Sequence, residues 1–153
     1  MPMKILIATD GSRRSEKAAS KAIEMAQSCS GSLNIISVVD AGSPRSAIDI
    51  DPYDIEDESI LKELDEKKKK PEEAFVERIS NMAAESDVKA GTEVRIGDPA
   101  DEILDYAKET ASDVIVIGSH GRGAVASAVM GSTSLNLVRK GNVPVLVVPA
   151  RED

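Results

Sequence analysis

The chain has 153 residues, enough to bury a sizeable core in one domain. A net charge of −8 and an aromatic content of 2% argue against a nucleic-acid binder, which needs a basic footprint and stacking surfaces. No apolar run reaches the ~18 residues of a membrane span, and the opening MPMKILIATD lacks a leader-like apolar core, so no membrane partner is expected and the cytoplasm is the expected compartment. Cys29 is the only cysteine, so no internal disulfide can form, which fits a reducing compartment.

Lys4 to Thr9 (KILIAT) is β-branched and apolar without alternation, the pattern of a strand buried on both faces. Asp10-Gly11-Ser12 turns it into a helix whose stripe is Ala18, Ala19, Ala22, Ile23 and Ala26. Ser30 and Gly31 should end that helix, with Gly31 as the residue just past the cap. Leu33 to Val39 reads as the second strand. The stretch from about Gly42 to Glu58 is rich in Asp and Glu and reads as a variable acidic loop, solvated or acting as a flap.

From Ile60 the pattern is helical. Pro71 is expected either to kink this helix or to start a new segment. Lys67 to Lys70 follow Glu63, Asp65 and Glu66, so ion pairs one turn apart on a solvated face account for the lysine run. Val88 to Ile96 is a third strand. Asp98-Pro99 is a helix start, with Asp98 as cap, Pro99 in the first helical position and acids after it. Ile103, Leu104 and Ala107 are that helix's apolar stripe.

Val114 to Ile117 is a fourth buried strand. It breaks into Gly118, Gly121 and Gly123, and a later Gly131 precedes Ser132, Thr133 and a helix with Leu135 and Val138 on one side. A strand, a glycine-rich loop and a helix start together make an anion site: glycine admits close main-chain approach, and a helix N-terminus offers unpaired N–H groups with partial positive charge. Ser132 is placed as the N-cap. The helix ends in Arg139, Lys140 and Gly141, and Val143 to Val148 forms a fifth strand. Pro144 cannot donate to a ladder, which puts this strand at an edge. So apolar an edge is a liability unless paired, and predicts a homodimer through Val143, Val145, Leu146, Val147 and Val148.

Strands and helices alternate throughout. That predicts an α/β fold with a parallel sheet and helices on both faces, and ligands outside the strands' carboxyl ends. The Gly118, Gly121, Gly131-Ser132 spacing is neither the Walker pattern nor the dinucleotide fingerprint. It matches G-2x-G-9x-G-[S/T], and from Met3 to Pro149 the chain resembles a single-domain universal stress protein (UspA-like) of the ATP-binding branch. ILIATDGS, VVD, GDPADEI and VPVLVVP carry the rest of the likeness. The resemblance implies an open five-stranded parallel sheet of order 3-2-1-4-5, Rossmann-like and of the adenine nucleotide alpha hydrolase-like type, often dimeric through the fifth strand. It implies ATP, with Mg²⁺, as the ligand. Ala8, Thr9 and Asp10 would hold the adenosine, Asp10 accepting from the ribose hydroxyls. Main chain at Val38 would pair with the adenine edge. Gly118, Gly121, Arg122, Gly131, Ser132 and Thr133 would line the phosphates.

The function implied is a nucleotide-dependent regulatory module in stress response, acting on an unidentified protein partner. No catalytic residue is assigned: His120 lies in the loop without a nucleophile to serve, so any ATP hydrolysis should be slow or partner-dependent. Two alternatives stay open. One is a scaffold of the same fold that binds no nucleotide; the other is an adenylyl-transferring enzyme, for which TDGSRRSE after the first strand has the wrong motif. Asp10 and Ser132 also have plain structural roles open to them, as a turn residue and as a helix cap.

Overall fold

The computed structural model describes residues 2–41, 56–119 and 131–149. Five strands alternate with four helices: β1 (Lys4–Ala8), α1 (Arg13–Ser28), β2 (Ser32–Asp40), α2 (Glu58–Glu85), β3 (Ala90–Gly97), α3 (Pro99–Glu109), β4 (Val114–Gly118), α4 (Ser132–Lys140) and β5 (Val145–Val148). All pairings are parallel, in the order β3-β2-β1-β4-β5. The expected α/β architecture and strand order are therefore present. So is the edge position of β5, with Pro144 just ahead of the shortened strand.

β1 is the axis. Ile5, Leu6 and Ile7 are fully buried, because helices cover both faces of the strand. Ile5 and Ile7 join α1 and α2 on one face; Leu6 and Ala8 join α3 and α4 on the other. Burial of each such side chain contributes about 1.5–3 kcal/mol. The alanines of α1 (Ala18, Ala19, Ala22, Ala26) are buried as their spacing requires, and let that helix lie close to the sheet.

α2 runs unbroken through Pro71, which has no N–H to offer the carbonyl one turn back. Its buried residues, Glu72, Val76, Ile79 and Ala83, all follow the proline. Glu72 is buried because Ser37 Oγ of β2 donates to its carboxylate at 2.7 Å. The ion pairs expected for Lys67–Lys70 do not form among the described residues. Arg95 of β3 lies 5.1 Å from the centre of the Tyr106 ring of α3 and pairs with Glu109 of the same helix, tying β3 to α3.

Three helix ends depart from the glycine rule. α1, α2 and α3 each close with the amide two residues past the cap donating to a carbonyl in the last turn: Gly31 to Ala26 (2.8 Å), Val88 to Ala83 (2.9 Å) and Ser112 to Ala107 (2.9 Å). The left-handed residue between them is Ser30 (φ 53°), Asp87 (φ 56°) and Ala111 (φ 51°). So Ser30, not Gly31, takes the conformation expected of the glycine. Gly31 is needed for another reason: a Cβ there would lie 2.3 Å from the Met3 carbonyl oxygen. A left-handed alanine costs roughly 1–2 kcal/mol. Ala111→Gly should therefore stabilise the fold by about 1 kcal/mol, read as a higher urea midpoint at unchanged slope; an unchanged or lower midpoint would contradict that account.

Candidate functional site

β1 and β4 are neighbours whose chains leave the sheet in opposite directions. β1 feeds α1 on one face, and β4 feeds the α3–α4 layer on the other. A cleft opens where their carboxyl ends part. Continuing the register of Ala8↔Ile36 and Ile7↔Val116 puts Asp10, Val38 and Ser119 at one level on this rim, on three adjacent strands.

The β1 exit is built from hydroxyls. Thr9 is buried; its N–H donates to the Ile36 carbonyl (2.9 Å), its Oγ1 donates to Ser15 Oγ (2.9 Å) and accepts from Gly11 N–H (3.2 Å). Asp10 is half-buried and accepts from Ser12 N–H at 2.9 Å, so its turn role is real. Ser12 caps α1 through Ser15 N–H. Of the expected adenosine residues, Thr9 thus spends its hydroxyl on the fold and Ala8 lies in the core, leaving main chain and Asp10 at the rim.

Val38 sits two residues beyond the last β1–β2 register pair, Ala8↔Ile36. Main-chain groups alternate sides along a strand, and the Ile36 carbonyl points to β1, so those of Val38 point the same way, into the cleft.

The β4 exit is pinned at its base. Ser119 N–H donates to Val148 (2.9 Å). The Ser119 carbonyl accepts from Gly131 N–H at 2.5 Å and from Ser134 Oγ at 3.4 Å. Gly118, Gly131, Ser132 and Thr133 therefore come together; Gly121, Arg122 and His120 lie outside the described residues. Ser132 is not the cap. Gly131 occupies that position, and among the described residues no side chain caps the helix. The buried Ser134 hydroxyl turns back onto the Gly131 carbonyl (3.0 Å), which draws the helix start one residue earlier than its polar residues suggest. The same tethering directs Ser134 and Leu137 inward, so the Leu135–Val138 side faces solvent.

Among the described helices α4 stands apart. Ser12, Asp57 and Asp98 cap the other three, each with acid in the first turn. α4 has neither cap nor acid there. Among the described residues no group pairs with its first N–H groups, which carry the helix's positive pole.

The dimer residues divide. Val143, Val145 and Val147 pack against the α3–α4 layer and Val148 is buried on the other face, leaving Leu146 as the exposed apolar side chain of β5. Sequence reading missed a clasp over the rim: the Phe75 ring of α2 lies against Gly11, while Arg78 reaches the Gly11 carbonyl (3.3 Å) and Glu16 (2.9 Å). The apolar spacing placed Phe75 on a helix; nothing in it pointed across the fold. Among the described residues no group of three or more acidic, His or Cys side chains is placed to hold a metal ion, and no helix is long and apolar enough to cross a membrane.

A model described as the Universal stress protein family matches residues 1–149. The chain is 34% identical to universal stress protein YxiE of Bacillus subtilis, over 95% of this chain and 97% of that one. It is 32% identical to universal stress protein MJ0531 of Methanocaldococcus jannaschii, over 95% and 81%. Its fold is similar to that of the solved protein MJ0577, with a TM-score of 0.78, 25% identity and coverage of 100% and 99%.

Gly11 has φ +79°, and a Cβ on it would meet Phe75 at 2.4 Å. Gly11→Ala should cost about 2–4 kcal/mol from strain and clash together. Phe75→Ala in the same background should recover only the clash, so the coupling in a urea-unfolding double-mutant cycle should favour the pair; strict additivity would show that the clasp is not a contact in solution.

Proposed function

Because the chain belongs to the Universal stress protein family, we propose that the rim between β1 and β4 binds ATP, with Mg²⁺ on its phosphates, and that occupancy regulates a protein partner in stress response. The observation that carries this reading is the bare N-terminus of α4 behind the Gly118–Gly131–Ser132 glycine spacing. Among the described residues the other helices are capped and this one is not, and the polyanion of an ATP tail suits such a helix start. The protein's overall charge of −8 does not oppose this, since main-chain donors act locally.

The spacing of the rim supports the rest of the nucleotide. Strands lie ~4.8 Å apart, so Val38, Asp10 and Ser119 span about 10 Å. Main chain at Val38 takes the adenine edge, Asp10 the ribose hydroxyls, and Gly118, Gly121, Arg122, Gly131, Ser132 and Thr133 the phosphates. Two universal stress proteins of this fold are complexes with cAMP and with dAMP; at 20% and 19% identity they share the fold, and the weight for this chain rests on its own residues. No group is assigned to activate water, so hydrolysis is slow or partner-dependent. The outward main chain of β5, at Val145 and Val147, suits pairing with a second copy in the cytoplasm.

Isothermal calorimetry separates this from a scaffold role. ATP should bind at least about tenfold tighter than AMP, and Gly131→Val should weaken ATP by about tenfold or more, through loss of close approach to the phosphates. Equal affinity for AMP and ATP, or a Gly131→Val protein that binds ATP normally, would remove the phosphate cradle and favour the scaffold.

A further inference from the structure

The edge of the sheet opposite β5 is β3, twice as long, with eight residues to four. No described strand pairs with its outer side. The carbonyls of Lys89 and Gly97 accept from Leu33 and Ala41 on the β2 side. By alternation the N–H and C=O groups of Thr92, Val94 and Ile96 point outward. The strand contains no proline and no turn that would blunt the edge.

A groove of about 500 Å³ runs beside this edge, between β3 and the second half of α2. Val76 and Val94 are apolar elements of its wall, and Glu73 and Glu77 set its charge against the single Lys69, while the Glu93 side chain lies on the opposite, α3 face of the strand. Glu73 and Glu77 are one helical turn apart and have no ion-pair partner among the described residues. Glu93 shares Arg95 with Glu102 and Glu109.

We infer that β3 and this groove form a docking surface for an extended, Lys- or Arg-bearing segment of another protein. Such a segment adds a strand to β3 through the Thr92 and Val94 main chain, and sets its cations against Glu73 and Glu77. Charge selects the occupant. A second copy pairing β3 to β3 across a two-fold axis would bring the two sets of carboxylates together. The chain's own residues Asp49, Asp51 and Asp54 carry the wrong sign as well. The inference goes beyond the nucleotide site and does not depend on it, because no residue is shared between the two.

The probe is a fluorescein-labelled nine-residue peptide alternating Val and Lys, titrated with the full-length protein in moderate salt and followed by anisotropy. Saturable binding is expected, with little for the same peptide carrying Glu in place of Lys. Glu73→Lys combined with Glu77→Lys should weaken it about tenfold or more. Thr92→Pro, which removes an outward N–H and no β2 bond, should weaken it too, with circular dichroism confirming the fold. Two further peptides, N-methylated at the Val or at the Lys positions, separate strand pairing from charge alone: at least one should lose binding. No saturable binding overturns the inference, as does equal binding of the Glu peptide, of both methylated peptides or to the charge-reversed protein. Each of these outcomes is independent of whether ATP binds.

Discussion

The pairing of β1 with β4 is the constraint on which the rest depends. These two strands are adjacent in space but separated by more than a hundred residues, and each is buried on both faces. Since one leaves for α1 and the other for the opposite layer, their ends cannot stay together above the sheet. The cleft is thus a consequence of topology rather than of any special residue. The β2 main chain that overhangs it at Val38 follows from the same geometry, because β2 extends past the point where β1 turns away.

Stability is given up at the place where the ligand is assigned. Capping a helix is worth about 0.5–2 kcal/mol, and α1, α2 and α3 each have a side-chain cap. α4 goes without. Its start is held instead from below, by the Ser119 carbonyl with Gly131 N–H and Ser134 Oγ, so the helix is positioned while no described residue covers its positive end. The other exit is arranged differently. There Thr9, Ser12 and Ser15 satisfy one another, and Phe75 and Arg78 press on Gly11, so Asp10 projects from a turn with little freedom.

The two edges of the sheet have different physical character. β5 is short, preceded by proline and mostly folded inward, with Leu146 as its exposed apolar side chain. β3 is long and bordered by carboxylates. An apolar edge favours a like partner, whereas an acidic edge repels one, so the homodimer proposed through β5 and the cationic segment proposed at β3 draw on opposite chemistry.

Much of the fold could be read from the chain because apolar runs without alternation occur only where both faces are covered, as in Ile5–Ile7 and Val114–Ile117, and because Asp98-Pro99 and Pro144 act through their own backbone chemistry. The glycine spacing of the fourth loop is local in the same way, though Gly121 lies outside the described residues. Tertiary structure decided what depends on residues far apart in sequence. Ser134 bonding back to the Gly131 carbonyl, with Gly131 itself tied to Ser119, moved the cap of α4 from Ser132 to Gly131 and turned Leu135 and Val138 outward. The Met3 carbonyl, not a left-handed turn, made Gly31 necessary. Glu72 could be buried only because Ser37 of another strand meets it. Local propensity and patterning set which segments are strands and helices; which face each one buries, and what reaches the rim, is set by contacts that exist only once the sheet has assembled.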